Sequence, residues 1–133
     1  MFERLFVTSF FFQGRSYRIR FMRYKGRFPA QEYILEMDEK LRQPLLGALR
    51  HFADHGRLPS ETRGRWLQAN YSTLYEFKVQ RHRILGFLDS NSMILTNGAT
   101  KKNVKAQRQD YDAALAMRAD YFGDLQLDRH QQR

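Results

Sequence analysis

Basic side chains recur on two neighbouring predicted strands and on the segment that follows them. Lys78 lies on the polar face of one strand, and Arg83 lies near the start of the next, beyond the turn Gln80-Arg81. Antiparallel pairing brings such strands about 5 Å apart, and the pair Lys101-Lys102 follows the last strand of the group. Like charges gathered on one face destabilise a fold, so this pattern favours the binding of an anion. The alternative is a solvated strand face whose lysines oppose edge-to-edge aggregation.

The net charge of the chain points to the same kind of ligand. The 133 residues carry 23 Lys and Arg against 14 Asp and Glu, which gives a formal charge of +9 and a pI of about 10.2. Residues 1–28 and 57–108 carry more basic than acidic side chains, whereas residues 29–56 and 109–133 are mildly acidic. A field of that sign favours a nucleic acid over an acidic protein partner or a merely soluble surface. We expect nucleic-acid contacts from these basic residues: Arg63, Arg65, Arg81, Lys105 and Arg108.

The other motifs do not indicate metal or nucleotide chemistry. His51 and His55 share a helix face, but Phe52 stands where a metalloprotease helix carries glutamate. Solvent-facing histidines near a helix C-terminus are the simpler interpretation. The segment Thr96-Asn97-Gly98-Ala99 lacks the second glycine and the lysine-serine pair of a phosphate-binding loop. With no cysteine in the chain, a thiolate nucleophile and a cysteine-ligated zinc are excluded. Since no other motif points to one, we expect no metal and no other cofactor.

The first half of the chain predicts a hairpin followed by two helices. Tyr17, Ile19 and Phe21 alternate with arginines, which is typical of a half-buried strand, and the turn Gln13-Gly14-Arg15 joins it to an earlier strand at Leu5 to Phe12. Apolar residues then recur every three or four positions from Pro29, with Gly56 as the helix stop. Because Pro44 disfavours one continuous helix, we expect a break between Asp38 and Pro44.

The second half predicts strands and a closing helix. A basic loop from Arg57 to Asn70 has Trp66 as its only large apolar anchor. In the first strand beyond this loop, Tyr75, Phe77 and Val79 face the core and Glu76 shares the polar face with Lys78. The predicted elements are Leu74 to Val79, His82 to Leu88, Met93 to Thr96, a helix from Lys105 to Tyr121, and a polar, frayed tail from Gly123. This order predicts one α+β domain around a single antiparallel sheet.

Hydropathy and cysteine content bear on location. The mean hydropathy is −0.68, and apolar runs are only a handful of residues long, so no transmembrane helix is expected. Residues Met1 to Phe12 lack a following small-residue cleavage site, so we expect no signal peptide. Together with the absence of cysteine, these features predict a cytoplasmic protein.

The segments Leu74-Tyr75-Glu76-Phe77-Lys78-Val79, His82-Arg83-Ile84-Leu85-Gly86-Phe87-Leu88 and Ile94 to Lys102 resemble the phage-related HigB-like branch of the RelE/ParE toxin superfamily. Upstream, Ile19-Arg20-Phe21 is similar to the family's first strand and Phe28 to Gly56 to its two-helix hairpin. Residues 105–121 are similar to its closing helix. The likeness covers residues 16–122, with residues 1–15 as an extra strand and turn and residues 123–133 as a tail.

The resemblance implies a RelE-like fold, in which a small antiparallel sheet packs against an N-terminal helical hairpin and a C-terminal helix. It also implies a toxin of a toxin–antitoxin pair, a ribosome-dependent endoribonuclease that cuts mRNA without a metal. Its partners would be mRNA, the ribosome and a cognate antitoxin, expected to be a helix-turn-helix protein. The catalytic residues carried over by position are Lys78, Arg83, Lys101 and Lys102, with Lys78 or Lys101 as the proton carrier.

The chain departs from the family pattern at several of these positions. Lys78 stands where an arginine is usual, Gly86 and Ala99 each replace an aromatic residue, and Ala106-Gln107 replaces threonine-proline. Two alternatives therefore stay open: a non-catalytic RNA- or protein-binding module, and a ParE-like toxin directed at DNA gyrase. Tyr111 falls on an apolar helix position and is assigned to the core.

Overall fold

A computed structural model describes the backbone of residues 8–131 and the side chains of residues 8–123. Within this range the chain forms six strands and three helices, which confirms the α+β class. In chain order they are β1 (Thr8–Gln13), β2 (Arg18–Met22), α1 (Pro29–Glu36), α2 (Glu39–His55), β3 (Gly64–Trp66), β4 (Tyr75–Val79), β5 (His82–Asp89), β6 (Ser92–Thr100) and α3 (Val104–Gln131). A short 3-10 turn, Ala69–Tyr71, precedes β4. Residues 5–7 of the predicted first strand lie outside the described residues.

The six strands form one mixed sheet in the order β1-β2-β6-β5-β4-β3. Four pairings are antiparallel, including the predicted hairpins β1–β2 and β4–β5. The pairing of β2 with β6 is parallel, so the prediction of a purely antiparallel sheet is wrong there. After β2 the chain crosses two helices and three strands before β6 enters beside it, and a long crossover of this kind permits parallel pairing.

Helices cover both faces of the sheet. On one face α1 and α2 bury side chains such as Ile34, Leu49 and Phe52 against Phe77 and Ile84. On the other face α3 buries a second cluster, which includes Leu67, Leu74, Leu85, Phe87, Ile94, Ala114, Met117 and Tyr121. The apolar character of β5 on both of its faces follows from this three-layer arrangement, because β5 lies inside the sheet and under both layers.

The helix boundaries follow local signals. Pro29 occupies the first turn of α1, and the Asp38 side chain accepts a hydrogen bond from the Lys40 backbone N–H (3.1 Å) at the start of α2. Gly56, with φ of +78°, ends α2 in the left-handed conformation that glycine adopts without a Cβ clash. The predicted break therefore falls at Asp38, while Pro44 lies inside α2.

One predicted anchor and two predicted segment limits are wrong. Trp66 is not the anchor of the basic loop, because it is 39% exposed in edge strand β3 whereas Leu58 and Leu67 are buried. Strand β6 continues to Thr100, and α3 continues to Gln131, where a frayed tail was predicted. Although α3 is long, no helix in the described range is apolar enough along its length to cross a membrane.

Gly86 lies where the β5–β6 register shifts between Leu85 and Gly86. A Cβ at this position would lie 2.8 Å from the Ile94 carbonyl oxygen and 2.8 Å from the Met93 sulfur. We expect Gly86→Ala to lower the free energy of unfolding by about 1–3 kcal/mol through overpacking. Gly47→Ala is the matched control, because no atom of the described residues lies within 4 Å of its Cβ position on α2; this variant should gain about 0.5–1 kcal/mol in the free energy of unfolding. Urea denaturation of both variants measures the difference, and equal stabilities would contradict the packing argument.

Candidate functional site

The centre of the site is the buried carboxylate of Glu76 on β4. The alternation of the strand placed Glu76 with Lys78 on a polar face, but α3 covers that face at Glu76, which is 0% exposed. The shared strand face is as predicted, and the burial of Glu76 on it was not foreseen. The sequence of β5 could have predicted the burial of Glu76. Its apolar residues on both faces require a covering layer on each side of the sheet.

Three side chains surround the Glu76 carboxylate. The Tyr111 hydroxyl donates a hydrogen bond to Oε2 (2.6 Å), the Arg65 Nε lies 3.6 Å from Oε1, and the Arg83 Nε lies 4.0 Å from Oε2. Arg65 is directly opposite Glu76 in the β3–β4 pairing. Burial, followed by the hydrogen bond to Glu76, raises the pKa of the Tyr111 hydroxyl, so this group remains a donor near neutral pH. Tyr111 was assigned to the core, and the structure adds its hydroxyl to the site.

Arg83 is held from two directions at the start of β5. Its Nη1 donates to the backbone oxygens of Gln80 (2.6 Å) and His82 (3.0 Å), and its Nε faces Glu76. Only 8% of the residue is exposed. Among the described residues, Nη2 takes part in no hydrogen bond, and a guanidinium carries two N–H donors there. Arg83 therefore keeps one edge available for an acceptor outside the protein.

Lys78 lies directly across the β4–β5 pairing from Arg83, as the two-residue turn predicted. Burial lowers the pKa of the Lys78 amine, and the positive charges of Arg65, Arg83 and Lys101 lower it further, against the opposing effect of Glu76. We call Arg65, Lys78, Arg83 and Lys101 the cationic cluster. An amine with a lowered pKa is better suited than an ordinary lysine to accept or donate a proton near neutral pH.

The main chain holds the Lys101 end of the cluster in place. The Lys101 backbone N–H donates to the Arg81 oxygen (2.6 Å), and the Arg81 Nη2 donates back to the Lys101 oxygen (3.0 Å). The Lys101 side chain is exposed. The arrangement fixes the backbone of the β4–β5 turn against the end of β6 and leaves the Lys101 amine in solvent.

A narrow cavity of about 10 Å³ lies within this group, which is close to the space that one water needs. Glu76, Arg83 and Lys101 line one part of it, and Tyr111 and Asp110 of α3 line another. Ala99 also lines the cavity, so the small residue at this position leaves the space open. The cavity is too small for a nucleotide, and a polyanion would contact the site from its exposed cations.

Lys102 lines a groove that adjoins the small cavity, with which it shares Ala99, Thr100 and Asp110. The groove, of about 360 Å³, is also lined by Tyr33 and Gln109, and Lys102 does not line the small cavity. Burial raises the pKa of the Asp110 carboxyl, and the charge of Lys102 opposes that rise. The structure therefore brings together Lys78, Arg83 and Lys101 and places Lys102 beside the start of α3.

The predicted nucleic-acid contacts fall into two groups. Arg63, Arg65 and Arg81 lie around Lys78: the Lys78 backbone N–H donates to the Arg63 oxygen (2.9 Å), and Arg81 is in the adjoining turn. Arg63 and Arg81 are exposed, whereas Arg65 is partly buried. Lys105 and Arg108 are exposed in the first turns of α3. These positions extend the positive surface on either side of the cationic cluster.

Side-chain contacts fix α3 and α1 against the site. Tyr71 donates to Asp112 Oδ1 (2.8 Å) and its ring meets the Tyr111 ring edge to face at 5.1 Å. On the opposite face of the sheet, the Tyr33 hydroxyl of α1 hydrogen-bonds with His82 Nδ1 (2.5 Å) and Thr100 Oγ1 (2.9 Å). These bonds tie the ends of β5 and β6 to α1, so both layers hold the strands that carry the cluster.

The two histidines of α2 pack against each other on one helix face. The His51 and His55 rings lie 4.5 Å apart in a groove with Arg57, well separated in sequence from the cluster. Within the range that the structure describes, no three His, Asp or Glu side chains are grouped as metal ligands.

Replacement of Lys78 tests whether the cluster is strained. Because burial and neighbouring cations lower its pKa in the folded state, the protonated amine destabilises the fold. The destabilisation is complete at pH values below the pKa of Lys78 in the folded state. It disappears as the pH rises past 10.5, the pKa of an ordinary lysine, because the amine is then neutral in both states. We expect Lys78→Gln to raise the free energy of unfolding at pH 7 by about 0.5 kcal/mol, a small effect because water screens the amine. The gain should vanish near pH 11.

Thermal unfolding of Lys78→Gln at several pH values measures this effect. Lys40→Gln is the matched control, because Lys40 is exposed on α2 and shows no ion pair within residues 8–123. A loss of stability in Lys78→Gln at pH 7 would show that Lys78 is a net stabilising group and would contradict the argument.

No protein-family model matches the chain, and no curated protein matches it significantly.

Proposed function

We propose that the protein is a RelE-like toxin that cleaves mRNA on the ribosome and is neutralised by a cognate antitoxin. The observation that carries the proposal is the cationic cluster, in which an anchored arginine and a lysine of lowered pKa meet across one strand pair. The element order β2, α1, α2, β4, β5, β6, α3 supports it, because the resemblance implies this succession of strand, helical hairpin, strands and helix.

The cluster suits cleavage by the neighbouring ribose. In this reaction the 2′-oxygen bonds to phosphorus, the bond from phosphorus to the 5′-oxygen breaks, and a 2′,3′-cyclic phosphate forms. A base takes the proton of the 2′-hydroxyl, and the departing 5′-oxygen receives a proton. Negative charge increases on the phosphoryl oxygens in the transition state, where fixed cations stabilise it most effectively.

We assign a role to each residue of the cluster from its geometry. The free Nη2 edge of Arg83 contacts a phosphoryl oxygen, and the exposed Lys101 amine supplies a second positive charge. Of the two lysines proposed as the proton carrier, Lys78 is favoured because burial and three neighbouring cations lower its pKa. Lys102, beside the adjoining groove, contacts the RNA backbone near the cleaved bond.

A second candidate function is RNA binding without catalysis. It is favoured by the burial of Arg83 and by the small volume of the cavity, since binding alone needs only the exposed cations. Arg63, Arg81, Lys101 and Lys102 are all exposed and suffice for contacts with phosphates.

Induced expression in a bacterial host tests the proposal. The wild type is compared with Arg83→Lys and with Arg23→Lys, a matched control at an exposed position outside the cluster. Growth is followed and mRNA 5′ ends are mapped. We expect growth arrest with new internal mRNA ends for the wild type and Arg23→Lys, and neither for Arg83→Lys.

Other outcomes of this experiment contradict the proposal. Growth arrest without RNA cleavage would point to gyrase or another protein target. Soluble, folded protein with neither arrest nor cleavage would favour the binding module.

A further inference from the structure

Glu76 carries an unusual set of unsatisfied groups. Its Oε1, the Arg65 Nε and the Arg83 Nε are all buried and have no hydrogen-bond partner among the described residues. The Arg65 Nε lies 3.6 Å from Oε1, and the Arg83 Nε lies 4.0 Å from Oε2. At these distances the opposite charges attract each other, but the groups do not form a close hydrogen bond. A buried charge with imperfect partners is expensive, so a carboxylate here needs a reason beyond stability.

We infer that Glu76 is a positioning residue, which orients the guanidinium groups of Arg65 and Arg83 toward the substrate phosphate. This inference rests on the proposed function, since the phosphate is that of the cleaved RNA. Glu76 is 0% exposed and cannot reach the RNA itself, so it acts only through the arginines.

The hold on Arg83 shows how this works. The oxygens of Gln80 and His82 fix only Nη1, and a guanidinium held at one nitrogen can still swing about it. The negative charge of Glu76 draws Nε inward from a second direction, and Nη2 is thereby left on the outer edge. Without the negative charge of Glu76, nothing attracts the Arg83 Nε into the buried position, and Nη2 is no longer held in one direction.

Arg65 and Tyr111 complete the arrangement from the opposite sides of the carboxylate. Arg65 reaches Oε1 from β3, where the strand register places it directly across from Glu76. The Tyr111 hydroxyl from α3 fixes Oε2. One carboxylate therefore links β3, β4, β5 and α3, and its orientation decides that of two cations at once.

The first measurement of this role does not depend on RNA cleavage. The Nε–H signals of arginine side chains are recorded by NMR for the full chain, wild type and Glu76→Gln, with Glu39→Gln as the matched control at an exposed glutamate. Glutamine preserves the shape and the acceptor for Tyr111 and removes the charge. We expect the Arg65 and Arg83 signals to move to the position of exposed arginines in Glu76→Gln and to stay unchanged in Glu39→Gln. Unchanged Arg65 and Arg83 signals in Glu76→Gln would overturn the inference.

The second measurement is a double-mutant cycle on RNA cleavage. Misplacement of a catalytic group by about 1 Å costs on the order of 100-fold in rate, so we expect Glu76→Gln to lower the cleavage rate on saturated ribosomes about 100-fold. The protein concentration at half-saturation should change less than about threefold, because the exposed cations still bind RNA. Combined with Arg83→Lys, Glu76→Gln should cost little more, whereas independent losses would show a general structural role and overturn the inference.

Two results separate this inference from the proposed function. If the wild-type protein cleaves no RNA, the proposed function is contradicted. The NMR signals then still test whether Glu76 orients Arg65 and Arg83. If Glu76→Gln does not fold, Tyr111→Phe replaces it, because that variant keeps the charge and frees Oε2. A shift of the Arg83 signal in Tyr111→Phe supports the positioning role, and an unaltered signal contradicts it.

Discussion

Arg83→Lys is expected to lower RNA cleavage by about 100- to 1,000-fold, the usual cost of losing one fixed donor to a transition-state oxygen. Lysine keeps the positive charge beside Glu76 but carries all its donors on one nitrogen, so it cannot hold both backbone oxygens and direct a second nitrogen at a phosphate. Because the charge stays, we expect the stability to change little. The substitution therefore tests whether cleavage depends on the direction of the Arg83 donor or only on its positive charge.

Lysine is a sharper substitution at this position than alanine. Arg83→Ala would leave the buried Glu76 carboxylate with Arg65 as its one remaining ion-pair partner among the described residues. Breaking a buried ion pair costs about 3–5 kcal/mol, so a loss of activity in the alanine variant would mix unfolding with catalysis. Single-turnover cleavage by Arg83→Lys and the control Arg23→Lys gives the comparison. Wild-type cleavage by folded Arg83→Lys would remove Arg83 from the site.

Glu76→Ala is expected to lower the free energy of unfolding by about 3 kcal/mol, at the lower end of the cost of breaking a buried ion pair. The Arg83 Nε would remain buried without its counter-charge, and the Tyr111 hydroxyl would lose its acceptor. Arg65 limits the loss, because its side chain is 37% exposed and can turn toward solvent.

Urea denaturation measures this loss as a shift of the midpoint by about 1 M or more, given typical slopes for small domains. Glu39→Ala controls for the removal of a surface carboxylate at the start of α2, where only about 0.5 kcal/mol is at stake. If Glu76→Ala lowers the free energy of unfolding by less than about 1 kcal/mol, the side chains of Arg65 and Arg83 both turn to solvent with little loss of stability. The carboxylate would then hold neither of them.

Local patterns predicted the elements that local interactions form. The alternation around Ile19 and Phe21 gave β2, the helical spacing gave α1 and α2, and Asp38 and Gly56 marked the limits of α2. The order of strands in the sheet was not predictable in this way. The parallel pairing of β2 with β6 joins segments about seventy residues apart, and neither segment carries a signal for the other.

The same distinction applies to the site. The short turn at Gln80-Arg81 fixes the register that pairs Lys78 with Arg83, so this pair followed from the sequence. The Glu76–Tyr111 hydrogen bond joins residues 35 positions apart and depends on how α3 lies on the sheet. Lys102 was grouped with Lys101 as its neighbour in the sequence, whereas in the structure Lys101 lines the small cavity and Lys102 lines the adjoining groove.

The most direct test of the account is cleavage of a defined mRNA by purified protein on programmed ribosomes. The cleaved position is first mapped on all-ribose mRNA, and a second mRNA then carries a single 2′-deoxynucleotide on the 5′ side of that bond. The account predicts cleavage of the all-ribose mRNA with a 2′,3′-cyclic phosphate or its 3′-phosphate product, and no cleavage at the deoxy-substituted bond. Equal cleavage of both mRNAs would rule out attack by the 2′-hydroxyl. Binding of both without any cleavage would contradict the assignment of the cationic cluster as a catalytic site.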